Sequence, residues 1–283
     1  MRFEGVPRVA YTCPFRLKLM TLDRNLISSA QWIVGLHPIE PTRPTESINE
    51  RLIKSDVTMR VLVWDWPTRL FHWLLVCTVG LSLITGIVGG NWIEWHGRLG
   101  LLIIGLLSFR VVWGLVGTRY ARFSSFIPTP RRLRDYFSGR WQGLGHSPLG
   151  GLSVFALLGL LSWQAGSGLF SNDDIAFNGP LYSLLEKTTS DLLSSLHRQG
   201  LWWLGGLIGL HIGAVMFYRW FLGKDLIKPM LNGHKSTDDP TNQAAVTRWP
   251  ALLFALLCAV GLAWVAAGGL LAPAAPPPPP PAW

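Results

Sequence analysis

Five stretches of roughly twenty predominantly apolar residues divide the chain, at 70–90, 96–116, 149–170, 196–217 and 251–272. Runs of that length match the hydrocarbon thickness of a bilayer, and inside lipid a single segment satisfies its own backbone only as a helix. The pattern therefore predicts an all-α transmembrane bundle, with a four-helix core and a fifth, C-terminal transmembrane helix. The polar connectors differ in sign. Between the second and third runs lie Arg119, Arg122, Arg131, Arg132, Arg134 and Arg140 against Asp135, whereas Asp173, Asp174, Glu186 and Asp191 follow the third run against Lys187. Basic loops stay on the cytoplasmic side, so the arginine-rich loop is expected inside and the acidic one outside. Arg60 and Arg69 before the first run, and Arg219, Lys224 and Lys228 after the fourth, agree. Five crossings then put the amino terminus in the cytoplasm and the carboxyl terminus outside.

The ends differ in kind. Residues 1–58 are polar, proline-bearing and without a period, and their apolar patch at 32–36 is too short to span; they are expected to form a poorly ordered extension. They also lack the apolar core and cleavage site of a secretory signal. Residues 59–235 form the core domain, 236–272 a linker with the fifth helix, and 273–283 a tail whose six-proline run suits extended polyproline.

Composition narrows the class. Charged residues make up 14% of the chain and hydrophobic ones 49%, with 15 Trp, a balance for a membrane protein with aromatic interface anchors. The net charge of +9 sits in the loops, where it sets topology, and nucleic acid is excluded as a partner. Cys13, Cys77 and Cys258 are far apart and none lies in C-x-x-C-H, so covalent c-type haem, zinc and iron–sulfur sites are not indicated.

Histidines carry the candidate chemistry, because an ionisable residue inside a bilayer marks a functional site by default. His197 and His211 lie fourteen residues apart in the fourth run, close to four helical turns and about 21 Å of rise, so they point to nearly the same side at two depths. His96 opens the second run at the outer depth, with His197; His72 lies near the cytoplasmic start of the first run, at the depth of His211. Imidazole is a normal axial ligand to haem iron, so His96 with His197 and His72 with His211 can each clamp one haem by coordination alone. Gly200, Gly205, Gly206 and Gly209, with Gly97 and Gly100, would let a flat macrocycle approach the backbone, and equally allow close helix packing. His146, before Ser147 and Pro148 at the start of the third helix, reads as an interfacial polar residue or as a partner for a haem propionate or a quinone head. Arg69, Arg98 and Arg198 suit propionates or lipid phosphates, while His37 and His234 read as solvated.

The motifs Val63-Trp64-Asp65-Trp66-Pro67-Thr68-Arg69-Leu70-Phe71-His72-Trp73, Trp95-His96-Gly97 and Gly145-His146-Ser147-Pro148-Leu149-Gly150, with the His197/His211 helix, resemble the prokaryotic cytochrome b561 family over about 59–235. That family includes the cytochrome b subunits of nickel–iron hydrogenases and, more distantly, of formate dehydrogenases. The resemblance implies a bacterial inner-membrane bundle with two b haems and assigns His72 with His211 and His96 with His197, the same pairs that depth gives. It further implies an electron-transfer subunit of an oxidoreductase system, carrying electrons between the quinone pool and an outer-face partner: a periplasmic cytochrome c, a hydrogenase or a dehydrogenase. Two rival readings stand beside it: a stand-alone superoxide:quinone oxidoreductase, and a haem-free transporter or scaffold. The fifth span, the proline-rich tail and the amino-terminal extension depart from the simplest members.

Overall fold

The computed structural model describes residues 59–175, 177–237 and 246–271; the amino-terminal extension with Cys13 and His37, and the proline-rich tail, lie outside the described residues. The order is β1 (Met59–Leu62), α1 (Trp66–Val88), α2 (Ile93–Val116), α3 (Pro130–Phe137), α4 (Pro148–Leu169), α5 (Lys187–Trp220), α6 (Ile227–Asn232), β2 (His234–Thr237) and α7 (Trp249–Ala266). Helices α1, α2, α4, α5 and α7 are long and apolar enough to cross a membrane, which makes the chain an all-α, multi-pass membrane protein.

Local chemistry starts the helices where the apolar runs begin. Asp65 caps α1 by accepting from the Thr68 N–H at 2.8 Å, and Ser147 caps α4 by accepting from the Gly150 N–H at 3.1 Å. In both, proline follows in the first turn, where its missing N–H costs nothing. Helix α5 is the chief departure from the expected spans. It begins at Lys187, nine residues or about 14 Å before the apolar run, because its polar first turns are satisfied locally. Lys187 pairs with Asp174 at 2.6 Å and Asp191 at 2.9 Å, Asn172 donates to the Ser190 hydroxyl at 2.6 Å, and Ser190 donates to the Phe170 carbonyl at 2.7 Å. A hydropathy window does not register such bonds. At the other end of the chain α7 stops at Ala266 rather than 272, followed by Gly268 at φ 84°.

Helix α2 is the hub. It packs on α1, α4 and α7, whereas α5 makes its close backbone approach to α4, with no comparable approach to α1 or α2. Against α7 the contact is by small residues: a Cβ on Gly105 would lie 3.5 Å from the Ala263 Cβ. Lipid tails are as apolar as the side chains, so in a bilayer no hydrophobic drive pulls helices together, and close backbone approach of this kind does the packing.

A floor closes one end. Strands β1 and β2 pair antiparallel, Met59 opposite Thr237 and Leu62 opposite His234, and the Val63 and Trp64 N–H groups both donate to the Gly233 carbonyl at 2.9 and 3.0 Å. Val63, Trp64 and Tyr120 are buried together with Leu144 and Met230 against them. The connectors at the start of α1, the end of α2, the start of α4 and the end of α5 thus meet on one side, as alternating crossings require.

Candidate functional site

His96 and His197 come together. Their rings, carried by α2 and α5 across the gap between those helices, lie 5.8 Å apart between centroids with planes at 85°. Two imidazole–metal bonds of about 2.0–2.1 Å, with about 1 Å more from each nitrogen to its ring centre, place two rings on one metal atom about 6 Å apart. Each ring is held in the same way. His96 Nδ1 lies 2.8 Å from the Ser82 carbonyl and 3.3 Å from the Ser82 hydroxyl on α1. His197 Nδ1 lies 2.9 Å from the Gln164 carbonyl and 3.2 Å from the Ser167 hydroxyl on α4. A carbonyl only accepts, so Nδ1 carries the proton in both rings and the Nε2 lone pair is left to bind a metal. The glycine four residues beyond each carbonyl makes room: a Cβ on Gly86 would lie 2.8 Å from His96 Nδ1, and one on Gly168 3.0 Å from His197 Cε1.

The second pair is arranged differently. His211 Nδ1 lies 3.2 Å from the Ser153 hydroxyl on α4. His72 is its electrostatic neighbour, with a buried Nδ1 that has no hydrogen-bond partner. His146, beside them, has its ring between Trp64 at 4.5 Å and Phe126 at 4.3 Å. Burial pushes its pKa down to about 3, helped by the charge of Arg110, then Lys235, His211 and His72, so the imidazole is neutral at physiological pH. Lys235 is pushed down to about 8 by burial; its ammonium donates to the Leu144 carbonyl at 2.7 Å.

A single register underlies the layers. The pairs 72/86, 96/110, 153/167 and 197/211 on α1, α2, α4 and α5 are all fourteen residues apart. Their midpoints are apolar: Val79, Ile103 and Leu204 are buried in one cluster with Leu161, and Leu160 packs against it. An aliphatic septum therefore separates the layer far from the floor, termed outer, with His96 and His197, from the floor-side layer, termed inner, with His72 and His211. Ser82, Gly86, Ser153, Gln164, Ser167, Gly168 and Arg110 belong to these layers and are not singled out by reading for apolar runs and histidines alone. Arg110 is 3% exposed and takes the place on α2 that His211 takes on α5.

Other expected residues fall elsewhere. Gly200 seats the Gln164 side chain, and Gly97 abuts Phe177. Gly206 is half a turn from the face of His197 and borders an open groove with Trp202, Trp203 and Leu210. Gly100, one turn beyond His96, does face open space. Arg98 pairs with Glu94 at 2.5 Å and is exposed, Arg198 is exposed, and Arg69 donates to the Leu231 carbonyl at 2.5 Å. His234 is exposed at the start of β2, its Nδ1 2.8 Å from the Asn232 carbonyl.

Fold and site together define a membrane helical bundle organised around facing imidazoles with free Nε2 atoms, the donor set that haem iron takes. The chain belongs to the prokaryotic cytochrome b561 family, whose sequence profile matches residues 63–233. It is thus a membrane b-type cytochrome. It is similar to the probable Ni/Fe-hydrogenase 1 B-type cytochrome subunit of Escherichia coli (strain K12), 23% identical over 222 residues, covering 65% of this chain and 94% of that one. The probable Ni/Fe-hydrogenase B-type cytochrome subunit of Azotobacter vinelandii is 24% identical, covering 63% and 90%, and that of Rhodobacter capsulatus 22% identical, covering 63% and 82%. No solved structure matches the chain.

Proposed function

We propose that the chain is a dihaem cytochrome of the bacterial inner membrane that carries electrons between the quinone pool and a redox partner on the outer face. His96 and His197 hold the outer haem, His72 and His211 the inner one, and residues 59–235 form the domain that contains both. The observation that carries this reading is the twin clasp: two imidazoles from different helices face one another, each with Nδ1 bound to a carbonyl and Nε2 free. Haem bound there supplies a reversible one-electron couple. The residues do the rest. Ser82 and Gln164 fix ring orientation and raise ligand basicity, and the Val79–Ile103–Leu204 septum keeps water from between the layers. Held by two imidazoles of the protein, the iron would be closed to external ligands and suited to electron transfer.

A hydrogenase is the partner this reading favours, since the similar proteins are named as hydrogenase cytochrome subunits. The surplus of arginine on the floor side supports a cytoplasmic placement for that end and a cytoplasmic amino terminus.

The test is spectroscopic. Purified protein is expected to give low-spin b-type bands and two acid-acetone-extractable haems per chain in a pyridine haemochrome assay. His96→Ala and His197→Ala should each remove one haem and leave the same second one, and His72→Ala and His211→Ala the reverse. One haem or none in the wild type, or identical spectra for His72→Ala and His197→Ala, would overturn the reading.

A further inference from the structure

The floor side of the inner layer holds a set of buried polar atoms without hydrogen-bond partners, the nitrogens of Arg69 and Arg110 among them able only to donate. Arg110 is a charge buried inside a membrane-crossing helix, a costly placement that normally has a function. Its guanidinium lies over the Phe123 ring at 4.6 Å and near Phe126 at 5.9 Å, and NH1 has no hydrogen-bond partner. Phe126 also packs on His146, whose buried Nδ1 is likewise without a partner. Among the described residues six buried side-chain polar atoms lack a partner, and five of them belong to Thr68, Arg69, His72, Arg110 and His146, all toward the floor. Folded proteins leave few such atoms, and a cluster of them points to a missing acceptor.

The nearest acid does not fill that role. Asp65 is the carboxylate that acts on Arg110, yet its oxygens already accept from the Thr68 N–H, the Trp113 indole at 3.2 Å and the Thr118 hydroxyl. What remains is a guanidinium fork and an imidazole, held by aromatic rings and next to His72 and His211. An arginine fork matches a carboxylate with two parallel hydrogen bonds.

We propose that Arg110 and His146 form a carboxylate-binding site that takes a propionate of the inner haem, anchoring it from the floor side. Two groups from separate segments, Arg110 near the end of α2 and His146 in the turn before α4, would then converge on one acid group and fix how the haem is turned in its site. This rests on the dihaem reading above, and a wild-type haem count of two establishes that reading before any variant is made.

Haem-depleted protein is reloaded with haem or with its dimethyl ester, which keeps the ring and loses both carboxylate charges. In the wild type, the ester should bind the inner site at least tenfold more weakly than haem, with the outer site as internal control for the fold. Arg110→Gln should weaken binding of haem to the inner site, lower the inner midpoint potential, and narrow the distinction between haem and ester several-fold. Arg110→Lys, which keeps the charge without the fork, should fall between. If Arg110→Gln fails to fold, Arg110→Lys and His146→Gln decide: the inner haem held less tightly supports the site. Arg110→Gln with wild-type inner haem affinity and potential but a raised quinol KM would overturn it, showing that the donors serve a quinone head instead. Equal binding of haem and ester by the wild type would also overturn it.

Discussion

Replacing Gly86 by alanine tests the clasp with a single methyl group. The new Cβ would lie 2.8 Å from His96 Nδ1 and 2.9 Å from Cε1. Ordinary contact begins near 3.4 Å, so the ring must give by about half an ångström. Shifted that far, the 2.8 Å bond to the Ser82 carbonyl passes the outer limit of about 3.2 Å for a good N–H···O bond. The bond itself is worth about 1 kcal/mol, and losing a partner behind a metal-bound imidazole typically lowers metal affinity 10–100-fold, about 1.4–2.7 kcal/mol. Opposing this, glycine to alanine inside a helix favours the helix by up to about 1 kcal/mol. The two effects have separate readouts: haem should be held less tightly while helix α1 gains stability.

Gly80 on the same helix supplies the control, since a Cβ there meets nothing within 4 Å. Gly80→Ala should match or exceed the wild type in thermal stability with its haem unchanged. Gly168→Ala, with its nearest contact at 3.0 Å, should fall between Gly80→Ala and Gly86→Ala. The assay is transfer of the outer haem to excess apomyoglobin, followed in the visible spectrum alongside thermal unfolding by circular dichroism. An outer haem held by Gly86→Ala as tightly as by the wild type would refute the argument that glycine is there to admit the ring.

Two further outcomes follow from the packing and the charges. His146 is depressed to about 3 in the folded protein against an ordinary 6.5, so its contribution is complete above pH 6.5 and lost as pH falls toward 3. In haem-depleted protein, where no propionate faces the ring, this is worth about 2–3 kcal/mol between pH 6.5 and 4 for a partly exposed ring, and the melting temperature of haem-depleted His146→Phe should fall less steeply over that range than that of haem-depleted wild type; parallel curves would sink the assignment. Gly105→Leu should overpack the α2–α7 contact by about 1–3 kcal/mol yet keep both haems, because Gly105 lies nine residues, half a turn off-face, from His96; loss of the outer haem together with stability would put α7 inside the cofactor core.

The spans were legible because lipid imposes one simple demand, apolar length, and the histidine pairs because an imidazole in such a run has few other uses. What escaped was whatever earns its place only through a neighbour. Ser82, Gly86, Gln164 and Gly168 have no chemistry of their own that marks them, and their role appears when a ring from another helix arrives. Strands β1 and β2 are four residues each and lie far apart in the chain, too short for an alternating pattern to declare them. The start of α5 was missed because its polar turns are stabilised by a loop rather than by lipid. The packing face of α7 was written openly, as Ala251, Ala255, Ala259 and Ala263 at four-residue steps, but a hydropathy sum treats alanine as one more apolar residue.

Arg110 shows most clearly where the information lay. An apolar window tolerates one charge, so the second run reads as a span with the arginine unnoticed. Register treats it differently. A helix that presents His96 to the outer layer must present position 103 to the septum and position 110 to the inner layer, as α5 presents His197, Leu204 and His211. Three of the four inner-layer slots hold His72, Ser153 and His211, the set that the dihaem proposal uses, and a cation in the fourth has to be explained by what that layer would contain. A b-type haem brings two carboxylates as well as an iron, so a layer that is to hold one needs a cation as well as imidazoles, and on α2 the residue in register with His72 and His211 that would supply it is Arg110.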